Sequence, residues 1–350
     1  MRARHPPRFG IWAAVHGSRA AHHDPDEPDD ATWERNRALV LDAEALGFDA
    51  VLVAQHTMNP YDDRRDQLEA WTATAALAAL THRIELIAAI KPGLYHPVVL
   101  AKMALQIEHV SRGRFALNLV NAWNRAEFEK AGLPFPAHDA RYAYGREWIG
   151  LVDRLMRGER VSFSGEHFQV TDYQLRPAGT YRARPTIYLG GESEPARALA
   201  ADHADVWFIN GQPLADVAGL IADMARRPAA AGPLAYGLSA FVIARATDAE
   251  AQGEHARLLA LADRDAALRA DTRARTDAAS VMFARTDAAA ARHVGTNGGT
   301  AAGLVGSYDT VARQIHAFHA AGIDLFMLQF QPFEAEMRRF AGHVIPRVRP

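Results

Sequence analysis

The sequence predicts an α/β fold, a (β/α)8 TIM barrel with insertions after strands four and seven. Three observations carry this reading. Short apolar runs of strand length alternate with longer stretches of helical periodicity along the chain. Eight such runs occur, the number that closes a parallel sheet on itself. The 350 residues suit two ordinary domains or one large α/β barrel, and the eight repeats favour the barrel. A doubly wound open sheet competes, but no GxGxxG fingerprint follows the first strand.

Each element has a local reason. Phe9–Ala13 is the first strand, and Ala31–Leu46 a helix with Leu39, Val40, Ala43 and Leu46 on one stripe, ended by Gly47. Ala50–Ala54 is the second strand, Gln67–Leu80 a helix and Ile84–Ile90 the third strand. Pro97 opens a helix whose Val99, Met103, Ile107 and Val110 share a face. Arg114–Val120 is the fourth strand, followed by helix Arg141–Met156. Val161–Tyr173 reads as a hairpin turning at Gly165, with Phe163 and Phe168 beside the turn. Thr186–Leu189, Val206–Ile209, Tyr236–Ala244 and Leu325–Leu328 complete the eight strands. Helices fall over Glu194–Ala204, Leu214–Ala225 and Asp309–Ala321, the last with Val311, Ile315 and Phe318 in register and Gly322 at its end.

Two segments exceed a minimal barrel. Trp123–Asp139 is a polar loop after strand four. An Ala/Asp/Arg-rich insertion runs from about Asp248 to Gly303 after strand seven, with ARTDAA at Ala274–Ala279 and again at Ala284–Ala289. It ends in GTNGGTAAG, Gly295–Gly303, which has little apolar surface to bury. The insertion is expected to be a mobile lid on the catalytic face of a single domain spanning residues 1–350; a plain linker would have the same composition.

Apolar residues make up 49% and charged residues 23%, enough for a sizeable core. With 39 basic against 41 acidic residues, a dedicated nucleic-acid binder is not expected. Cysteine is absent, which excludes disulfides, thiolate nucleophiles and Cys-ligated metals and fits a cytoplasmic protein. No secretory signal and no 18-residue apolar span is found, so no membrane contact is expected. His22-His23-Asp24 lacks a third ligand by spacing, so no metal is expected. GxSxG, HExxH and paired-carboxylate signatures are all missing, which favours a cofactor as the source of the chemistry.

In a barrel the chemistry lies at the C-terminal strand ends. There, IYLGGESEPARALA ends a strand in Gly190-Gly191, continues through Glu192 and opens a helix at Ser193. Backbone amides at such a start suit a phosphate, although a plain capped βα turn reads the same way. No Walker lysine follows, so a triphosphate is not expected. Asn118, at the end of strand four, offers an amide to a planar ligand or serves as a buried structural residue. His138, Arg141 and Tyr142 set a donor, a cation and a phenol near a possible anion, or cap a helix. His56 and His96 stand just past strands two and three and are candidates for ligand contact.

These residues resemble the bacterial luciferase-like flavin monooxygenases over nearly the whole chain. The shared features are Asn118-Leu119-Val120, the H-x-x-R-Y run from His138 to Tyr142, and the GG-x-S turn from Gly190 to Ser193. Within the group the likeness is nearest to dimethyl sulfone monooxygenases, through IAAIKPGLYHP, VNAWNRAEF, GLSAFVIARATDAEA and LVGSYDTVARQI. Alkanesulfonate monooxygenases come second and a pyrimidine-ring-opening branch third. Alkanesulfonate enzymes carry an Arg and a His in the strand-seven segment, matched here by Ser239 and Phe241. That exchange favours a neutral substrate, because a buried sulfonate would be left unpaired. Ala122 stands where relatives often have Gly.

The resemblance implies a two-component FMNH2-dependent monooxygenase. A separate NAD(P)H-dependent FMN reductase supplies the reduced FMN, and O2 oxidises a small sulfone to methanesulfinate and formaldehyde. It implies Asn118 at the flavin ring and reacting centre, and His138, Tyr142, Gly191 and Ser193 at the phosphate, with Gly190 and Glu192 in the same turn around the cofactor; by strand-end position His56 is a further catalytic candidate, and Trp12, Trp123, Phe241 and Phe330 are substrate-pocket walls. A homo-oligomer, dimer or tetramer, is expected. A flavin-binding protein without turnover and a deazaflavin-dependent dehydrogenase are the alternatives outside this class.

Overall fold

A computed structural model describes residues 5–18, 20, 23–228, 232–264 and 293–349. In chain order the strands are β1 (Arg8–Trp12), β2 (Ala50–Val53), β3 (Glu85–Ile90), β4 (Phe115–Leu119), β5 (Val161–Ser164), β6 (Gln169–Tyr173), β7 (Thr186–Gly190), β8 (Val206–Ile209), β9 (Ala235–Phe241), β10 (Ile243–Arg245), β11 (Val305–Ser307) and β12 (Leu325–Gln329). Eight of them close a parallel barrel in the order β1-β2-β3-β4-β7-β8-β9-β12. The expected (β/α)8 barrel is therefore present, and β5 and β6 form the expected hairpin.

The helices are α1 (Trp33–Ala45), α2 (Ala70–Leu80), α3 (Pro97–Ser111), α4 (Arg125–Lys130), α5 (His138–Met156), α6 (Glu194–His203), α7 (Leu214–Ala225), α8 (Asp248–Asp263), α9 (Tyr308–Ala321), α10 (Phe333–His343) and α11 (Ile345–Val348). Local chemistry explains their ends. Thr32 caps α1 through Arg35 N–H, Ser307 caps α9 through Thr310 N–H, and Pro97 occupies the first turn of α3. The α5 stripe of Trp148, Ile149, Val152 and Leu155 is fully buried against the barrel.

Barrel strands are buried on both faces, which is why β4 reads FALNL without a polar alternation except Asn118. Their outward residues join the helices in the main core. Their inward residues Ala50, Leu52, Ile87, Ala116, Tyr188, Phe208, Leu325 and Met327 plug the barrel's interior. The register pairs Asn118 with Ala89 on β3 and with Tyr188 on β7, two residues beyond inward-facing Ala116. Asn118 thus stands one layer above the plug, at the open end. Among the described residues no helix is long and apolar enough to cross a membrane.

The structure departs from expectation after strand seven. The run Tyr236–Ala244 is two strands: β9 ends at Phe241, and β10 leaves the barrel to pair in parallel with β11. The stretch beginning at Asp248 opens as α8, held by a capping box in which Thr247 accepts from Glu250 N–H and Glu250 accepts from Thr247 N–H. Gly295–Gly303 is close-packed: a Cβ on Gly298 would lie 1.9 Å from Gly211 O, and one on Gly299 1.8 Å from Val294 O. Gly298 and Gly299 are there because backbone meets backbone. Both ARTDAA copies lie outside the described residues. In the polar loop after strand four, Arg125–Lys130 is the short helix α4.

Candidate active site

The C-terminal end of the barrel opens into a cavity of about 720 Å³. That lies within the roughly 300–1,000 Å³ typical of cofactor and substrate sites. Its floor is the inward layer Trp12, Leu52, Ala89, Asn118, Phe208, Ser239 and Gln329. One wall carries His56, Lys91 and Trp123, another Tyr142, Gly190 and Gly191, and a third the end of α8 with Val294–Gly298.

Several buried polar atoms here have no protein partner. Asn118 Oδ1, Trp12 Nε1, His16 Nδ1 and Gln55 Nε2 are all in this condition. Each is a donor or acceptor withdrawn from water, a state that costs about 1–3 kcal/mol unless another group satisfies it. The site is thus built to receive hydrogen bonds on its floor.

The glycine turn is shaped by its surroundings. Trp207 Nε1 donates to Gly191 O at 2.8 Å, and Gly191 has φ +118°. A Cβ there would lie 3.0 Å from Ala196 Cβ and 3.3 Å from the Tyr142 hydroxyl. Ser193 occupies the N-cap position of α6, but its hydroxyl donates to Tyr142 OH at 3.4 Å and caps no backbone amide. The expected capping bond is therefore replaced by a contact that joins α6 to α5. Glu192 turns its carboxylate to Asn210 N–H at 2.9 Å and Gln212 Nε2 at 3.1 Å, tying β7's loop to β8's. His138 packs on Tyr142 with ring centroids 4.8 Å apart but, like Glu192 and Ser193, does not itself line the cavity.

Opposite the turn lies a buried ionic cluster. Lys91, just after β3, donates to Glu127 Oε2 on α4, and its Nζ is 3.1 Å from His56 Nδ1. Glu127 Oε1 accepts from Thr57 N–H at 2.7 Å and from Thr57 Oγ1 at 3.2 Å. Lys91 N–H donates to Gln55 Oε1 at 2.7 Å. All three charged or titratable members are at most 8% exposed. Burial, reinforced by the Lys91 charge, pulls His56 down to about 4, so it is neutral near pH 7. Burial pushes Glu127 up, but its hydrogen-bonded neighbours outweigh that and hold the carboxyl at about 2. Burial also lowers Lys91. The imidazole stands edge-on to Trp123, with centroids 5.8 Å apart.

The structure thus brings Asn118, His56, Tyr142, Gly190, Gly191, Trp12, Trp123, Phe241 and Phe330 to one cavity. Phe330 also packs against Phe48, Phe333 and Phe340. Arg141 points elsewhere: it donates to Pro136 O at 2.7 Å and Asn121 O at 3.3 Å and lies over the Phe135 ring. His96 is exposed and caps α3 through Val98 N–H at 3.3 Å. Sequence reasoning overlooked Lys91, Glu127 and Gln329. Lysine occurs three times in a chain otherwise supplied with arginine, so one ending the apolar run IELIAAIK was a usable signal. Gln329 joins Ser239 to Thr296 across the floor, a link that no spacing foretold.

Known proteins resemble this chain in sequence and in fold. The family model described as luciferase-like monooxygenase matches residues 8–325. The chain is 33% identical over 318 residues to the FMNH2-dependent dimethylsulfone monooxygenase of Pseudomonas putida, covering 90% of this chain and 87% of that one. It is 32% identical over 325 residues to the enzyme of the same name from Pseudomonas fluorescens, covering 90% and 86%. The crystal structure of DmoA from Hyphomicrobium sulfonivorans superposes with a TM-score of 0.75 at 17% identity, covering 99% of this chain and 88% of that one. The chain belongs to the luciferase-like monooxygenase family.

Proposed function

We propose that this monooxygenase uses reduced FMN and O2 to oxygenate dimethyl sulfone at carbon, the α-hydroxy sulfone then splitting to methanesulfinate and formaldehyde. A separate NAD(P)H-dependent reductase delivers the reduced flavin. The two relatives named for this reaction support the reading. One observation on this chain carries the choice of a neutral substrate. Of the described cavity-lining residues, the lysine and arginine are Lys91 and Arg35, and carboxylates already neutralise both. Lys91 pairs with Glu127, and Arg35 pairs with Glu334 at 2.8 Å and with Glu27 at 3.8 Å. Ser239 and Phe241 add no cation at the end of β9. A sulfonate buried here would lack a counter-charge, whereas a sulfone needs only hydrogen-bond donors and apolar contact.

The residues present fit FMN. The unpartnered Asn118 Oδ1 on the floor suits a ring N–H, and the strained turn at Gly191 leaves room where a Cβ would press on Tyr142. Asn118 would hold the ring, and Gly191, Tyr142 and Ser193 the phosphate. Reduced FMN, when bound, supplies the electrons that activate O2. The chain's own task is to orient the sulfone and exclude water, for which Trp12, Trp123 and Phe241 provide apolar wall.

The test is oxygen uptake with reduced FMN and a panel of dimethyl sulfone, methanesulfonate and uracil, with product analysis. Methanesulfinate and formaldehyde from dimethyl sulfone, with little turnover of the others, is the expected result. Sulfite released faster from methanesulfonate would refute the assignment and place the protein with the alkanesulfonate enzymes.

A further inference from the structure

The cluster beneath His56 has a geometry that does more than neutralise charge. An ammonium has three donors and no acceptor, so the 3.1 Å contact of Lys91 Nζ with His56 Nδ1 can be a hydrogen bond only if Nδ1 accepts. A neutral imidazole whose Nδ1 accepts carries its proton on Nε2. Glu127 Oε2 lies 3.3 Å from the same Nδ1 and would, without Lys91, attract a proton there. Lys91 stands between two acceptors and donates to both. Its own place is fixed by Gln55, and that of Glu127 by Thr57, so residues 55–57 after β2 are stitched to β3 and α4 around this imidazole.

We propose that Lys91 and Glu127 are positioning residues that hold His56 as the Nε2–H tautomer, presenting one fixed hydrogen-bond donor at the cavity wall to an acceptor oxygen or nitrogen of the bound reactants. The proposal rests on the monooxygenase reading only for its rate readout. It contains no proton transfer. The groups facing His56 are Lys91 beyond β3, Glu127 on α4 and His16 after β1, with Trp123 edge-on. Burial comes first and the Lys91 charge second in keeping the ring neutral.

The experiment is nitrogen NMR of histidine-labelled full-length protein between pH 6 and 9, with the His56 signal identified by its loss in His56→Gln. The parent should show a bare Nδ1 and a protonated Nε2 throughout. In Lys91→Met the carboxylate should draw a proton to Nδ1, and product formation from dimethyl sulfone with supplied reduced FMN should fall roughly tenfold. In Lys91→Met/Glu127→Gln an amide N–H can take the ammonium's place opposite Nδ1, so the Nε2–H tautomer and most of the rate should return. A parent with its proton on Nδ1 overturns the proposal. So does a Lys91→Met protein with reversed tautomer and unchanged rate, or a rate lost in either folded variant while the tautomer stays. If Lys91→Met does not fold, the parent spectrum and the double variant decide the matter. If dimethyl sulfone is not the substrate, the parent itself forms no product while the spectra still report the tautomer.

Discussion

Gly191→Ala tests whether the turn after β7 is glycine for a physical reason. Two costs apply. The backbone sits at φ +118°, which an L side chain rarely adopts and which carries about 1–3 kcal/mol of strain. The new methyl would also meet Ala196 Cβ at 3.0 Å and Tyr142 OH at 3.3 Å, so α6 or the phenol must yield by a few tenths of an ångström. Together they should destabilise the protein by about 2 kcal/mol, a fall of roughly 3 °C in Tm for a chain of this length. If the turn's amides receive the phosphate, moving them loses a charge-assisted hydrogen bond worth about 1.5–3 kcal/mol, or roughly 10- to 150-fold in Kd for reduced FMN. Gly190→Ala is the control: its methyl would meet only Asn118 Oδ1, at 3.9 Å, and no positive φ is involved. Thermal unfolding and anaerobic flavin titration of both variants measure the two effects. Equal Tm values for the two variants would refute the strain argument, and parental flavin affinity in Gly191→Ala would refute the phosphate assignment.

Three further outcomes follow from the same structure. Gly298→Ala should cost more than about 3 kcal/mol, because its Cβ would fall 1.9 Å from Gly211 O, while Gly303→Ala, with φ +76° and open space, should cost about 1 kcal/mol; denaturant unfolding of the pair checks this, and equal losses would mean that the strap is not close-packed. Burial pushes Glu27 up to about 7 despite hydrogen bonds from Ser18 and Phe333. A carboxyl raised in the folded state contributes its stability fully below the unfolded value near 4.5 and loses it as pH rises to about 7. Glu27→Gln should therefore gain on the parent across that window, by on the order of 3 kcal/mol, and the difference should stay flat above it; a pH-independent difference in Tm would count against this. Ala122 has φ +46°, so Ala122→Gly should be neutral or stabilising by up to about 1 kcal/mol, relief of left-handed strain outweighing the freer unfolded chain; a loss above about 1 kcal/mol by urea unfolding would contradict it.

The barrel was legible because its strands and helices differ in period and are each bounded by local signals. Val206–Ile209 and Leu214–Ala225 match the observed elements residue for residue. Errors gathered where composition was trusted over local chemistry. The Thr247–Glu250 capping box was written in the sequence, yet the composition of the Ala- and Asp-rich run around it suggested a mobile lid, with a linker as the other reading. The glycines of Gly295–Gly303 suggested mobility, whereas Gly298 and Gly299 sit where two backbones touch. From a single sequence, glycine for freedom and glycine for closeness look alike.

What the sequence by itself determined is the alternation that makes a parallel barrel, the glycine turn at the end of β7 and the amide at the end of β4, because each depends on residues a few positions apart. What only the tertiary structure decided is the partnership of distant groups. Arg141 was read as a cation for a ligand and instead anchors its own loop through carbonyl oxygens. His56 and Glu127 are 71 positions apart and Lys91 lies between them, yet the closing of β2 beside β3 sets all three within one buried cluster. Hydrophobic period fixes which face of a strand is buried; which polar side chains then meet inside the barrel depends on register and closure, and those are properties of the assembled sheet.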